Sequence, residues 1–203
     1  MQRTARRRLA VHVAAGLIVV AGIGCGPRPD AAEEPAIDST NSALPEARLC
    51  GDKVVTDSAV GELRIGATVA DVRARCTIAR DTTAPRAEGQ EARVISVVFG
   101  SDTVDAEVVA DRVWRIEVTD PAFTTADSLR VGTGVGALLD LPGLRPLSGE
   151  GNVFVMTTAH CGLSFQLSVP DTGASAGSWQ ADDLRRLPPG TEVTRVLVIG
   201  CGR

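Results

Sequence analysis

From residue 93 onward the chain alternates between apolar and polar positions. Ile95, Val97 and Phe99 take every second place in 93–100, Val104, Ala106 and Val108 in 103–110, and Trp114, Ile116 and Val118 in 112–119. Side chains of a strand point by turns to opposite faces, so period two with β-branched residues predicts three half-buried strands. Gly100-Ser101-Asp102 and Ala110-Asp111 are joints short enough for hairpins, which makes the pairing antiparallel. The pattern returns at 152–157, 161–169 and 192–199, where Leu163, Phe165 and Leu167 interleave with Ser164, Gln166 and Ser168. A sheet with one apolar and one polar face is normal for antiparallel strands.

Each run of strands is preceded by an echo. Leu63-Arg64-Ile65-Gly66-Ala67-Thr68-Val69 returns as Leu129-Arg130-Val131-Gly132-Thr133-Gly134-Val135, 66 residues later. In both, a short apolar segment meets a glycine and then a brief helical pattern. The first helix is expected over 69–75, with Thr68 as N-cap and Asp71 three residues on, as in a capping box. The second is expected over 134–141 and stops at Pro142. Helices this short are unstable alone, so each must pack on a sheet. The fold class is therefore α+β: two tandem units of short helix plus antiparallel β-meander, 49–125 and 126–203. Between the last two strands lies an insertion, 170–190. Its first part is rich in Gly, Ser and Ala, and 179–187 can form one short helix. A loop of this length is more often functional than not, which makes it a candidate contact surface.

Upstream of residue 49 there is no such periodicity. Arg3, Arg6, Arg7 and Arg8 precede an uncharged run of 16 residues, 9–24. A basic start, a short apolar stretch and small residues before a break make an export signal. The run falls short of the ~20 apolar residues that a spanning helix needs. Gly22-Ile23-Gly24-Cys25 resembles the lipobox of bacterial lipoproteins. That resemblance implies cleavage after Gly24 and lipidation of Cys25. Gly22 stands where an aliphatic residue is usual, which leaves ordinary cleavage or an uncleaved anchor open. Gly26, rather than Asp, follows the cysteine, and in lipoproteins of two-membrane bacteria this favours the outer membrane. Residues 1–25 are thus a signal peptide. The Pro-, Ala- and acid-rich stretch 26–48 is a flexible tether.

Composition narrows the partners. Removing 1–25 leaves 17 basic against 25 acidic side chains, a charge of −8. Nucleic-acid affinity rests on neutralising phosphates, so no nucleic-acid partner is expected. Aromatic side chains are few, which disfavours sites that stack bases or sugars. Four cysteines remain after Cys25: Cys50, Cys76, Cys161 and Cys201. An even number in an exported chain reads as disulfides, with three connectivities open. Cys50–Cys76 and Cys161–Cys201 are favoured. The first pair would tie the incoming segment to a helix end, and the second would join the start of one strand to the end of its antiparallel neighbour. No cysteine pair has the short spacing of zinc sites, so no metal and no cofactor is expected.

The helix-entry echo also resembles a known grouping: the small lipoproteins of the outer-membrane barrel-assembly machinery and the tandem-repeat β-lactamase inhibitor proteins. These carry a hydrophobic-x-hydrophobic-Gly-Met-Thr signature ahead of a Val. Leu63-Arg64-Ile65-Gly66-Ala67-Thr68 with Val72 fits it, with Ala67 in the Met place. The second copy, with Leu138, fits less well. The resemblance covers roughly 60–199. It implies binding or scaffolding of envelope proteins and carries no catalytic chemistry.

Three motifs tempt an enzymatic reading. Val155-Met156-Thr157-Thr158-Ala159-His160-Cys161 resembles the strand and turn around the histidine of trypsin-like proteases, yet their Gly-Asp-Ser-Gly-Gly nucleophile motif is absent. Asp171-Thr172-Gly173-Ala174-Ser175 resembles the aspartic-protease signature, but that chemistry needs two carboxylates sharing a proton. Asp102, Asp105 and Glu107 cluster around one hairpin without the loop spacing of a calcium motif, and read as a solvated strand face. The expectation is therefore a lipid-anchored envelope protein facing the periplasm, held to the membrane by its N-terminal lipid. Its role is non-enzymatic binding of an envelope protein partner. The alternative is a small exported hydrolase or metal-assisted enzyme using His160 and nearby carboxylates.

Overall fold

The computed structural model describes residues 49–85, 91–170 and 179–202, all within the unit Ala43–Arg203. The signal 1–25 with Cys25, the tether 26–48 and the Asp171 motif lie outside the described residues.

Three two-residue strands, β1 (Val55–Thr56), β2 (Ala59–Val60) and β3 (Leu63–Arg64), form a small antiparallel sheet. Helix α1 (Val69–Arg75) leads into β4 (Ile78–Pro85), β5 (Glu91–Phe99), β6 (Asp102–Val109) and β7 (Arg112–Val118). Helix α2 (Val135–Leu139) leads into β8 (Arg145–Gly149), β9 (Asn152–Met156), β10 (Leu163–Pro170), the helix α3 (Ala181–Arg185) and β11 (Val193–Val198). The eight longer strands make one antiparallel sheet in the order β4-β5-β6-β7-β11-β10-β9-β8. Each set of four is a meander, and the sets join where their last strands pair, Glu117 opposite Leu197. The fold is mostly β. The helices span seven, five and five residues, a smaller share than an α+β class implies.

The two helix-entry loops dock alike. Gly66 N–H donates to Val113 C=O and Val113 N–H to Ala67 C=O, while Gly132 N–H donates to Val193 C=O and Val193 N–H to Thr133 C=O, all at 2.8–2.9 Å. Val69 N–H reaches Asp111 C=O as Val135 N–H reaches Thr191 C=O. Both glycines hold positive φ, 83° and 86°, a conformation with little steric cost only for glycine. Each echo thus fastens a helix start to the beginning of the fourth strand of its own set.

The inward face supplies the core. Ile95, Val97, Phe99, Ala106, Ile116, Val118, Val155, Leu163, Phe165 and Val198 are buried and cluster with Val60, Leu63, Val69 and Leu138 from the small sheet and helices. Phe99 meets Phe123 edge to face, ring centroids 5.3 Å apart. Fully burying one such side chain contributes about 1.5–3 kcal/mol, which is what holds helices too short to persist alone.

Two strands escape the apolar pattern, and both are sheet edges. β4 reads Ile-Ala-Arg-Asp-Thr-Thr-Ala-Pro and is largely exposed. β8 reads Arg-Pro-Leu-Ser-Gly. Charge and proline are how edges resist further pairing, and those residues erase the alternation. Trp114 is a correction. The alternation places it inward with Ile116, but it is 49% exposed and Val113 is buried instead. Register shifts between Glu107 and Val108, so that Arg115 faces Glu107 and Val113 faces Val108. Trp114 is the extra residue of that bulge, which reverses the parity.

Candidate functional site

The outward face of the sheet is concave. Arg115 on β7 donates to Glu150, in the β8–β9 turn, at 2.7 Å. Three strands, β11, β10 and β9, lie between β7 and β8. Strands about 4.8 Å apart would hold the pair too far apart in a flat sheet, so the sheet must twist and curl for the bond to close. Ser96, Phe154, Ser164, Gln166 and Leu197 of this face are accordingly buried.

The first set of strands dresses the face with ion pairs. Arg80 reaches Asp105 at 3.5 Å, Ser96 donates to the same carboxylate, and Arg115 holds Glu107 at 3.0 Å. Arg195 of β11 meets Glu117 at 3.2 Å. Burial works against the Arg115 charge, but Glu150, Glu107 and Glu117 outweigh it and raise its pKa above the usual arginine value. Lys53 pairs with Asp102. The three acids expected as a solvated strand face therefore each have a cationic partner, drawn from elements that strand periodicity does not connect.

The second set makes a groove of about 220 Å³ on the same face. Leu147, Phe154, Met156, Leu197 and Ile199 line it, with Arg115 and Glu150 at its rim. The floor follows from register, because Leu147 faces Phe154 and Ser164 faces Leu197 across neighbouring strands. Gln166 lies on the same face, and its Oε1 is buried with no hydrogen-bond partner among the described residues.

His160 occupies the β9–β10 turn, largely buried and edge-on to Phe165 at 6.2 Å. Its Nε2 meets Asp127 Oδ2 at 2.9 Å, and its Nδ1 faces Asp57 Oδ1 at 3.9 Å. Burial alone would raise the Asp127 carboxyl, but the Thr125 hydroxyl and His160 outweigh it and hold the pKa below the usual carboxylate range. Asp57 comes from the β1–β2 turn and Asp127 from the segment between β7 and α2. Neither stands near His160 in sequence, so spacing gives no hint of them. Among the described residues no hydroxyl bonds to either ring nitrogen, and Nε2, where a serine triad places its nucleophile, meets a carboxylate instead.

No family model matches the chain, and no curated protein matches it in sequence. A likeness of fold is found among solved structures. One such structure is the uncharacterized protein yfeY from Escherichia coli, with a TM-score of 0.51 at 18% identity, covering 72% of this chain and 99% of that one. The likeness speaks for the fold alone.

Both favoured disulfides are present. Cys50–Cys76 joins the incoming segment to the end of α1, and Cys161–Cys201 joins the approach to β10 with the exit of β11. Bonds of this kind persist in oxidising compartments, which points to a location outside the cytoplasm. Among the described residues no helix is long and apolar enough to cross a membrane.

Proposed function

We propose that this chain is a lipid-anchored envelope protein that binds a protein partner through the groove on its concave face and performs no chemistry of its own. The observation that carries the reading is the groove itself, where five apolar side chains sit on a sheet face otherwise crossed by ion pairs. An apolar recess ringed by polar groups is the form of a contact hot spot. The occupant is a polypeptide segment with an apolar side chain flanked by basic residues. The chain carries −8 once 1–25 is removed, and Glu107, Glu117 and Glu150 stand at or beside the rim. The likeness to barrel-assembly lipoproteins and tandem-repeat inhibitor proteins supports a binding role. The matched loop hydrogen bonds support reading 49–125 and 126–203 as two copies of one unit. Attachment through Cys25 to the outer membrane, facing the periplasm, completes the proposal.

The enzymatic alternative draws on the His160–Asp127 pair. It lacks a hydroxyl at either ring nitrogen among the described residues, so it ranks second. Intact-mass analysis checks the anchor, with acylated Cys25 as the expected N-terminus. Photocrosslinking from Leu147 in the full-length protein, in envelopes, checks the groove. The expected result is one discrete adduct, lost in Met156→Glu and competed by a short Lys- and Leu-rich peptide. An adduct indifferent to both would remove the groove from the account. Hydrolytic turnover abolished by His160→Ala would instead favour the alternative.

A further inference from the structure

The two disulfides sit in opposite surroundings. Cys50 and Cys76 are 0% and 3% exposed, whereas Cys161 and Cys201 are both exposed. Cys161 also borders a cleft of about 360 Å³ shared with Gly143, Arg145 and Met156. A thiol reagent has an approach to this sulfur, and exposed disulfides are the labile ones.

Around that bond stand further donors. Asp57 Oδ2 lies 3.5 Å from Cys161 Sγ, and a carboxylate oxygen of Asp57 and both sulfurs fall within 4.8 Å of one another. Gly162 N–H donates to Asp57 Oδ1 at 3.4 Å, and the Asp57 backbone lies so close that a Cβ on Gly162 would come within 1.8 Å of its carbonyl oxygen. His160 lies outside that group of three and faces it across the Asp57 carboxylate. Its Nε2 must carry hydrogen to bond the Asp127 carboxylate, so in the neutral ring Nδ1 turns a lone pair toward Asp57. Two acceptors facing one another across 3.9 Å leave a place that positive charge relieves, whether a proton on Nδ1 or a bound cation. A histidine whose other nitrogen donates to a carboxylate is the usual support of a metal ligand.

We propose that the Cys161–Cys201 disulfide gates a metal site: once it is reduced, Cys161, Cys201, Asp57 and His160 Nδ1 together hold one thiophilic divalent cation, Zn²⁺ by donor type. Two sulfurs, one nitrogen and one oxygen make the four-coordinate set that zinc favours. The electrons come from a dithiol. One of its thiolates attacks Cys161 Sγ, forming a mixed disulfide and expelling Cys201 as thiolate. The second dithiol sulfur then attacks the mixed bond and leaves as part of a cyclic disulfide. Two electrons and two protons pass to the protein, giving two thiols. Binding of the cation releases those two protons to the buffer. The oxidised protein lacks two of the four ligands and stays metal-free, so the gate follows the redox state of the compartment.

The test uses the full exported chain, oxidised and after mild reduction with a non-chelating phosphine. Cobalt(II) reports thiolate ligation by its absorption, and zinc is titrated by competition with a coloured chelator. Alkylation mapping should find Cys161 and Cys201 open while Cys50 and Cys76 remain bonded. The reduced chain should bind one ion and the oxidised chain none. Asp57→Asn and His160→Ala should each weaken zinc by about tenfold or more, and Asp127→Asn by roughly 10- to 100-fold. Circular dichroism confirms folding of each variant. Should a variant unfold, the comparison of oxidised with reduced wild type still decides. Three results would overturn the proposal: no thiolate band after reduction, Cys50 and Cys76 opening equally readily, or undiminished affinity in folded Asp57→Asn and His160→Ala.

Discussion

The two sets of strands share a backbone plan and differ in what they present. Each begins with a glycine-centred loop hydrogen-bonded to the start of its own fourth strand. Each turns apolar residues inward. On the concave face the likeness ends. β5, β6 and β7 place Ser96, Asp105, Glu107, Arg115 and Glu117 there, tied by ion pairs, while β8, β9 and β11 place Leu147, Phe154, Met156 and Leu197. The disulfides divide the same way, one sealed in the core and one open to solvent. Packing constrains the inner face in both sets alike, and the sets differ where that constraint is weaker. The proposed groove and the proposed redox site both draw on such positions.

The sharpest way to break this contrast is to remove the disulfides separately. Loop entropy alone assigns them about 3.5 and 4 kcal/mol, for separations of 26 and 40 residues, slightly favouring the exposed bond. Burial reverses the order. Cys50→Ala with Cys76→Ala also deletes two sulfurs from the core cluster, which adds about 1–2 kcal/mol for lost contacts and cavity. Urea unfolding should show the first double variant as the less stable. If Cys161→Ala with Cys201→Ala costs more, loop length decides and the difference in exposure has no energetic weight.

β5, β6, β7 and β10 are legible in the sequence because apolar side chains recur at every second place on the core face, even where the outward face is also buried. β4 and β8 are not, since an edge strand needs charge or proline more than alternation. Trp114 misleads because a bulge is a tertiary event that leaves no mark in the periodicity. The disulfide pairing is legible from topology: once β10 and β11 are antiparallel neighbours, Leu163 faces Val198 and the flanking cysteines must meet. The surroundings of His160 are hidden for the opposite reason. Asp57 and Asp127 arrive from separate loops, and no local rule connects residues that only the folded chain brings together.

A smaller effect tests whether the two loops are equivalent. A Cβ at Gly66 or Gly132 would meet nothing within 4 Å, so alanine there costs only the left-handed backbone, about 1–2 kcal/mol. Gly66→Ala and Gly132→Ala should therefore destabilise equally in urea melts. A difference above roughly 0.5 kcal/mol would mean that one loop relaxes and the other does not, and the shared hydrogen bonds would then be a weaker likeness than they look.

The smallest effect lies at the helix starts, where the likeness is incomplete. Thr68 caps α1: its hydroxyl accepts from Asp71 N–H at 3.1 Å, and Asp71 accepts in return from Thr68 N–H. Gly134 occupies the same place before α2 with no side-chain bond. Thr68→Ala should cost about 1 kcal/mol, and Gly134→Ser should gain a few tenths. The Asp71 carboxyl is held below its usual pKa of 3.8, first by the Thr68 hydroxyl and then by its N–H. Its contribution is present above the unfolded value and is lost as pH falls through the lower folded one. The deficit of Thr68→Ala should therefore shrink in acid unfolding, while the gain of Gly134→Ser should not move, because Ala137, three residues on, carries no charge to titrate. A pH-dependent gain at Gly134 would show that α2 starts under a charge its own first turn does not supply, and the two helix starts would no longer be versions of one device.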